Sequence, residues 1–220
     1  EITLITDIGA SISAMKHAKK HLRKWMKAQR RPTIFPLNVL GGRSRIEYQP
    51  LGAVGIISPW NFPVSMVFAP MAGALAAGNR VMIKPSEFTP ATSEVLAELV
   101  KDAYDPKEAV LFTGGPEVGQ AFSNLPLDHL LFTGATSVAR HIMAAAARNL
   151  VPVTLELGGK SPVIISRTAD LEKSMSRIMM GKTMNAGQIC LAPDYLLVPE
   201  EKLHDVIETA QKVVANMYPR

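Results

Sequence analysis

A single cysteine, Cys190, is the only thiol in this 220-residue chain. No intramolecular disulfide can form, and the composition suits a reducing compartment, so the cytoplasm is the expected location. Long apolar runs are missing as well. The longest weakly polar stretch, Val64 to Ala77, is broken by Ser65, Pro70 and Gly73 and falls short of the roughly 20 residues that a bilayer span needs. No membrane span is expected. The chain starts at Glu1 rather than Met, and nothing after it has the basic, apolar and small-residue order of a secretory signal. It is therefore expected to be an internal piece of a longer protein, truncated at both ends.

Acid is absent between Ile8 and Ile46, whereas ten of the 24 Lys and Arg residues lie there, from Lys16 to Arg45. The rest of the chain carries 14 basic residues against 19 acidic ones, so the formal charge of +5 comes from this one stretch. Such a run attracts nucleic acid or anionic lipid when it forms a dedicated patch. Here Ile8, Ile12, Met15, Ala18, Leu22, Trp25 and Met26 recur at helical spacing, which predicts an amphipathic helix whose basic face is solvated. With one aromatic and no recognised motif, no nucleic-acid partner is expected. His17 and His21 share a helix face, yet no third ligand or general-base Glu accompanies them, so no metal site is expected.

What the chain does have is a 47% apolar composition, enough to bury a substantial core. From Gly52 onward, short β-rich runs alternate with helical ones. Strands are predicted at Ala53 to Ser58, Arg80 to Lys84, Ala109 to Thr113, His129 to Thr133 and Val153 to Leu157. Helices are predicted at Val64 to Ala77, Pro90 to Ala103, Glu117 to Ser123 and Thr136 to Asn149, each bounded by Pro, Gly or a capping residue. This alternation predicts an α/β fold, a doubly wound and mostly parallel Rossmann-like sheet with helices on both faces. Near Ser161 the start of a second α/β domain is expected: an apolar run Pro162 to Ile165, a helix Leu171 to Ala186, Cys190, and a strand Tyr195 to Val198. The expected organisation is residues 1–51 as an N-terminal helical segment and connection, 52–160 as the nucleotide-binding domain, and 161–220 as an incomplete catalytic domain.

Open α/β sheets bind ligands at the carboxyl ends of their strands. The strand exits here are Pro59-Trp60-Asn61-Phe62-Pro63, Pro85-Ser86-Glu87, Gly134-Ala135-Thr136 and Gly158-Gly159-Lys160-Ser161. Two familiar phosphate motifs are nonetheless missing. No G-x-G-x-x-G occurs, and the nearest arrangement, Gly114 to Gly119, has Pro116 where the second glycine belongs. The stretch Thr154 to Ser161 ends like a P-loop, but Thr154 replaces its first glycine and Pro162 opens a strand-like run instead of a helix. A nucleoside triphosphatase is not expected.

Five stretches in order resemble the aldehyde dehydrogenase superfamily: Pro59-Trp60-Asn61-Phe62-Pro63, Lys84-Pro85-Ser86-Glu87, Phe132-Thr133-Gly134, Glu156-Leu157-Gly158-Gly159-Lys160 and Asn185-Ala186-Gly187-Gln188-Ile189-Cys190. The continuation Leu191-Ala192-Pro193-Asp194-Tyr195, with Gly41-Gly42-Arg43-Ser44 and Tyr48-Gln49-Pro50, is most similar to the class 3 and coniferyl aldehyde dehydrogenase branch. The resemblance implies that Cys190 is the nucleophile, Asn61 an oxyanion donor and Glu156 the base that activates water. For the cofactor, NAD with NADP as an alternative, it implies contacts from Ser58, Pro59, Trp60, Lys84, Ser86, Glu87, Gly119, Phe132, Thr133, Gly134, Ala135, Val138, Leu157 and Gly158. Lys84 and Glu87 would hold the adenosine ribose, and Thr133 to Ala135 would lie near the pyrophosphate.

At two places the sequence departs from the family pattern, with Ala135 standing where Ser is usual and Ala139 where Gly is usual. One hydroxyl donor is lost and one methyl is added near a helix start, which bears on cofactor affinity more than on fold. The resemblance also implies an aldehyde substrate, a homodimeric or homotetrameric parent, and a nicotinamide-ribose motif that lies beyond Arg220. A competing reading is a non-catalytic nucleotide-binding or assembly module that keeps the fold without the reaction. The two differ on whether Cys190 is reactive.

Overall fold

Stretches rich in Val, Ile and Leu, three to six residues long, form the strands at the centre of the first of two compact units, Glu1–Glu156 and Leu157–Arg220. The computed structural model describes residues 3–219. In chain order, a π-helical turn Leu4–Gly9 runs into α1 (Ala10–Trp25), followed by β1 (Gln29–Arg31) and β2 (Ser44–Ile46). Then come β3 (Ala53–Ile57), α2 (Ser65–Ala76), β4 (Arg80–Lys84), α3 (Pro90–Ala103), β5 (Ala109–Leu111), α4 (Pro116–Ser123), β6 (His129–Gly134), α5 (Thr136–Ala147) and β7 (Val153–Leu157).

The five strands β3 to β7 form one parallel sheet in the order β5-β4-β3-β6-β7. Starting in the middle, the chain builds outward to β5 and then returns to the other side of β3, the order of a Rossmann-type sheet. Buried on both faces, β3 reads Ala-Val-Gly-Ile-Ile without polar alternation, with only Ala53 not fully buried. On one face Ile56, Val81, Ile83 and Ala109 pack against Val67 and Met71 of α2 and Leu96 and Val100 of α3. On the other, a side chain at Gly55 would meet Leu127, Leu130 and Phe122, the last of these from α4. Helices thus cover both faces, as the alternating pattern requires.

Several boundaries differ from the sequence reading. Strand β5 stops at Leu111 rather than Thr113, because Gly114 follows with φ +145° and turns the chain. Helix α5 stops at Ala147 rather than Asn149, where Leu150 takes a left-handed φ of 56°. The buried face of the first helical segment runs through Asp7, Ser11 and Ala18, whereas Ile8, Ile12, Trp25 and Met26 of the expected apolar stripe are exposed. Asp7 and Ser11 find polar partners that no periodicity argument can anticipate. The antiparallel pair β1–β2 was not foreseen, since its three-residue, fully exposed strands carry no alternating signal.

The second unit contains β8 (Ser161–Ile164), α6 (Leu171–Thr183), β9 (Pro193–Leu197) and α7 (Leu203–Met217), with β8 and β9 paired in parallel. Its core gathers Ile165, Met175 and Val206 with Val163, Leu196 and Val213 around them. Asp170 caps α6 by accepting the Lys173 N–H at 3.1 Å. The helix ends at Thr183, not Ala186, because Asn185 and Ala186 adopt φ of 49° and 55° and break the helical path. No helix among the described residues is long and apolar enough to cross a membrane.

Candidate active site

Strand order places the switch point beside β3, whose neighbours β4 and β6 are reached by chain segments leaving in opposite directions. At the carboxyl edge there, the register aligns Lys84, Ile57 and Phe132 in one row. The residues one step beyond are Pro85, Ser58 and Thr133. Four expected cofactor residues, Ser58, Lys84, Phe132 and Thr133, are therefore brought to the same short edge by the sheet itself.

Ser58 is held by its backbone N–H, which donates to the Lys84 carbonyl at 3.1 Å. Its side chain is 4% exposed, and its Oγ has no hydrogen-bond partner. A buried hydroxyl without a partner costs about 1–3 kcal/mol, and a polar ligand group brought to this strand exit would supply the missing partner. Pro59 and Asn61 are half-buried, and Trp60 is exposed.

From the β4 exit, the buried Lys84 ammonium donates to the Glu87 carboxylate at 2.5 Å. Burial acts to raise the Glu87 pKa, but the Lys84 hydrogen bond, a backbone hydrogen bond and the Lys84 charge outweigh it and hold this carboxyl below the ordinary carboxylate range. Gly119 of α4 passes the same lysine; a Cβ there would lie 3.9 Å from Lys84 Cε. Ser86 is spent on local structure. Its Oγ accepts the Phe88 N–H at 3.2 Å and its carbonyl accepts the Ser93 hydroxyl at 3.1 Å, so it shapes the turn before α3.

After β6, Ala135 stands at the N-cap of α5 in extended conformation and offers no side-chain acceptor to the first turn. The amides of that turn are left facing outward at the positive end of a 12-residue helix, an arrangement suited to phosphate. Gly134 is required here: a Cβ would lie 2.6 Å from the ring of the buried Phe132. Val138 is 45% exposed on the first turn of α5. Of the two departures from the family pattern, Ala139 is buried at 2% exposure in the packed face of α5, and Ala135 is exposed.

Glu156 lies exposed on β7, with Leu155 and Leu157 turned inward on either side of it. Leu157 is half-buried and Gly158 exposed.

In the second unit, Cys190 is exposed on the loop between α6 and β9. Asn185, Ala186 and Gly187 before it have φ of 49°, 55° and 77°, three successive left-handed residues. The turn closes through the Gln188 N–H, which donates to the Asn185 carbonyl at 3.0 Å, and the Ala192 N–H donates to the Ile189 carbonyl at 3.0 Å. Two non-glycine residues in this region store backbone strain on the order of 1–2 kcal/mol each, which persists only where the surroundings fix the geometry. The thiol is presented by a built loop and not by a packed core.

One buried group escaped the sequence reading. Asp7 is 3% exposed, and its carboxylate accepts the backbone N–H groups of Val64 at 3.2 Å and Ser65 at 2.5 Å. The only signal in the sequence was that Asp7 is the last acid before the long acid-free stretch.

Comparison with known proteins bears on the same residues. The family model described as the aldehyde dehydrogenase family matches residues 3–218. The coniferyl aldehyde dehydrogenase of a Pseudomonas species (strain HR199) is 55% identical over 219 residues, covering 100% of this chain and 45% of that protein. Among solved structures, Staphylococcus aureus AldH in its substrate-bound state superposes with a TM-score of 0.95 at 41% identity, covering 100% of this chain and 47% of the other. A Mycobacterium tuberculosis aldehyde dehydrogenase complexed with NAD+ gives 0.86 at 31% identity, covering 97% and 44%. The chain thus spans about half the length of the relatives it matches.

Proposed function

Since the chain belongs to the aldehyde dehydrogenase family, we propose that the protein carrying it oxidises an aldehyde to the carboxylic acid with NAD through a covalent cysteine intermediate. The observation that carries this reading is the pairing of two features within one chain. At the carboxyl edge of its sheet the first unit has an orphaned Ser58 hydroxyl and an uncapped α5, and the second presents Cys190 exposed on a strained loop. The proposed fit to a dinucleotide is chemical as well as topological: Lys84 and Glu87 offer a donor and an acceptor for ribose hydroxyls, and the amides at the start of α5 would receive the pyrophosphate.

In this reading the Cys190 thiolate attacks the carbonyl carbon and forms a thiohemiacetal, and Asn61 donates to the developing oxyanion together with the Cys190 N–H. Bound NAD supplies the hydride acceptor that takes the thiohemiacetal to a thioester. Glu156 then removes a proton from water as it attacks the thioester carbon, and the acid leaves with Cys190 regenerated as a thiolate. The coniferyl aldehyde dehydrogenase among the relatives supports coniferyl aldehyde as substrate, with another aromatic or medium-chain aldehyde as the alternative.

Rapid-mixing kinetics on the full-length polypeptide test the scheme. Cys190→Ala should abolish turnover, and Glu156→Gln should keep the burst of NADH while slowing the steady state by at least about 10²-fold. Unchanged turnover in Cys190→Ala sinks the whole reading. An unchanged steady state in Glu156→Gln removes that carboxylate from the scheme and leaves the rest.

A further inference from the structure

The scheme above leaves one buried carboxylate unused. Asp7 sits in the π-helical turn Leu4–Gly9, a rare geometry, with its own carbonyl accepting the Ser11 hydroxyl at 2.7 Å. None of the ion pairs among the described residues includes it. Its compensation comes from the start of α2, a helix whose N-cap residue, Val64, has no side-chain oxygen to offer. Asp7 provides from 57 residues away what a Ser or Asp at the cap would otherwise provide, a negative acceptor at the positive end of the helix.

The consequence reaches back along the chain to Asn61. The segment from Ser58 to Ser65 contains Pro59 and Pro63, which have no N–H to contribute to strand or helix. It is tied at its two ends and at Phe62, whose carbonyl accepts the Met66 N–H at 3.0 Å. Ser58 is anchored to the Lys84 carbonyl on the sheet, and Val64 and Ser65 are anchored to Asp7. Asn61 lies three residues before the second anchor. Removing that anchor leaves the amides of Val64 and Ser65 without their acceptor, and the turn is then held at this end only by its hydrogen bonds to α2, such as that from the Met66 N–H to the Phe62 carbonyl.

We propose that Asp7 is a positioning residue for the reaction: by holding the amino end of α2 it fixes the turn that aims Asn61 at the oxyanion. The proposal rests on the function read above, because it gives Asn61 its role there. A misplacement of about 1 Å in a catalytic group can cost 10²-fold, and loss of an oxyanion donor costs roughly 10²–10³-fold. Asp7→Ala should therefore slow acylation by roughly 10–100-fold. The Michaelis constant for NAD should change less than the acylation rate, because most of the expected cofactor contacts lie on the ends of β3, β4 and β6 and on α5.

The test is a double-mutant cycle on the full-length polypeptide, with the burst rate normalised to active sites titrated by the amplitude of the NADH burst, so that unfolded protein is not counted. Asp7→Ala should slow the wild-type background and have no further effect in Asn61→Ala. Asp7→Asn, which keeps an acceptor oxygen, should recover most of the rate. Equal losses in both backgrounds, or a lowered melting temperature with an unchanged rate per titrated site, overturn the proposal and make Asp7 a fold-stabilising cap. If Asp7→Ala does not fold, the same cycle is run with Asp7→Asn, where a smaller loss confined to the wild-type background supports the proposal and an equal loss in both overturns it. An Asn61→Ala enzyme that acylates at the wild-type rate overturns the role of Asn61 itself and this proposal with it, a result separable from the additive one.

Discussion

Lys84 ends β4 with a buried ammonium, and Glu87 is its partner at 2.5 Å. Because the folded-state pKa of Glu87 is lowered, the pair stabilises the fold above the ordinary carboxylate pKa, and this stabilisation is lost as pH falls through the lowered folded value. Glu87→Gln removes the charge but keeps an amide oxygen for Lys84, so the cost at neutral pH should be about 1 kcal/mol. Once pH has fallen below the lowered folded value, the variant and wild type should converge in denaturant midpoint. A gap that persists there would mean that the side chain stabilises by packing rather than by charge. The same carboxylate bears on cofactor choice, since it can accept from the ribose hydroxyls of NAD and repel the 2′-phosphate of NADP. The ratio of kcat/KM for NAD to that for NADP should fall roughly 5–10-fold in Glu87→Gln, a change of about 1 kcal/mol, and an unmoved ratio would make Glu87 an ordinary helix-start residue.

Strand β3 shows at the scale of elements what was legible and what was not. A buried parallel strand has to be apolar on both faces and to end where polar chemistry begins, and Ala53 to Ile57 followed by Ser58-Pro59-Trp60-Asn61 says so in sequence. The same holds for β4 and β6, so the carboxyl-edge row of Lys84, Ile57 and Phe132 was within reach of sequence reasoning once their order was fixed. The β1–β2 pair was not, because short exposed strands bury nothing and leave no periodicity. Nor was the capping of α2 by Asp7, which depends on a contact between segments far apart in sequence. Gly55 marks how tightly the legible part is packed. An alanine Cβ there would come within 2.5 Å of Leu127 and 2.9 Å of Leu130 and Phe122, all buried. Gly55→Ala should cost about 1–3 kcal/mol by overpacking, read as a lower denaturant midpoint. A neutral result would show that α4 and the Leu125–Leu127 turn yield more easily than the packing implies.

The whole chain divides into one unit that carries the adenosine and pyrophosphate contacts of the reading and another that carries the thiol. A ligand that stops short of the nicotinamide ring should therefore act on one of them. ADP-ribose has the adenosine, both phosphates and the second ribose, but nothing to place beside Cys190. Binding to the native state alone stabilises it by RT ln(1 + [L]/Kd), about 2.7 kcal/mol at a hundredfold excess over Kd. Amides that exchange only through opening of the sheet should then slow by roughly 100-fold. Hydrogen exchange followed by mass spectrometry should show this protection at Ser58–Asn61, Lys84–Glu87 and Phe132–Val138, where the crevice edge and the start of α5 lie. Exchange in β8, α6, β9 and α7 should be unaltered. NAD itself differs from this probe only in its nicotinamide, so any further protection it gives around Asn185–Cys190 reports the ring alone. Protection by ADP-ribose confined to residues 161–217 would place the nucleotide in the wrong unit, and the crevice at the end of β3 would have to be given up as the cofactor site.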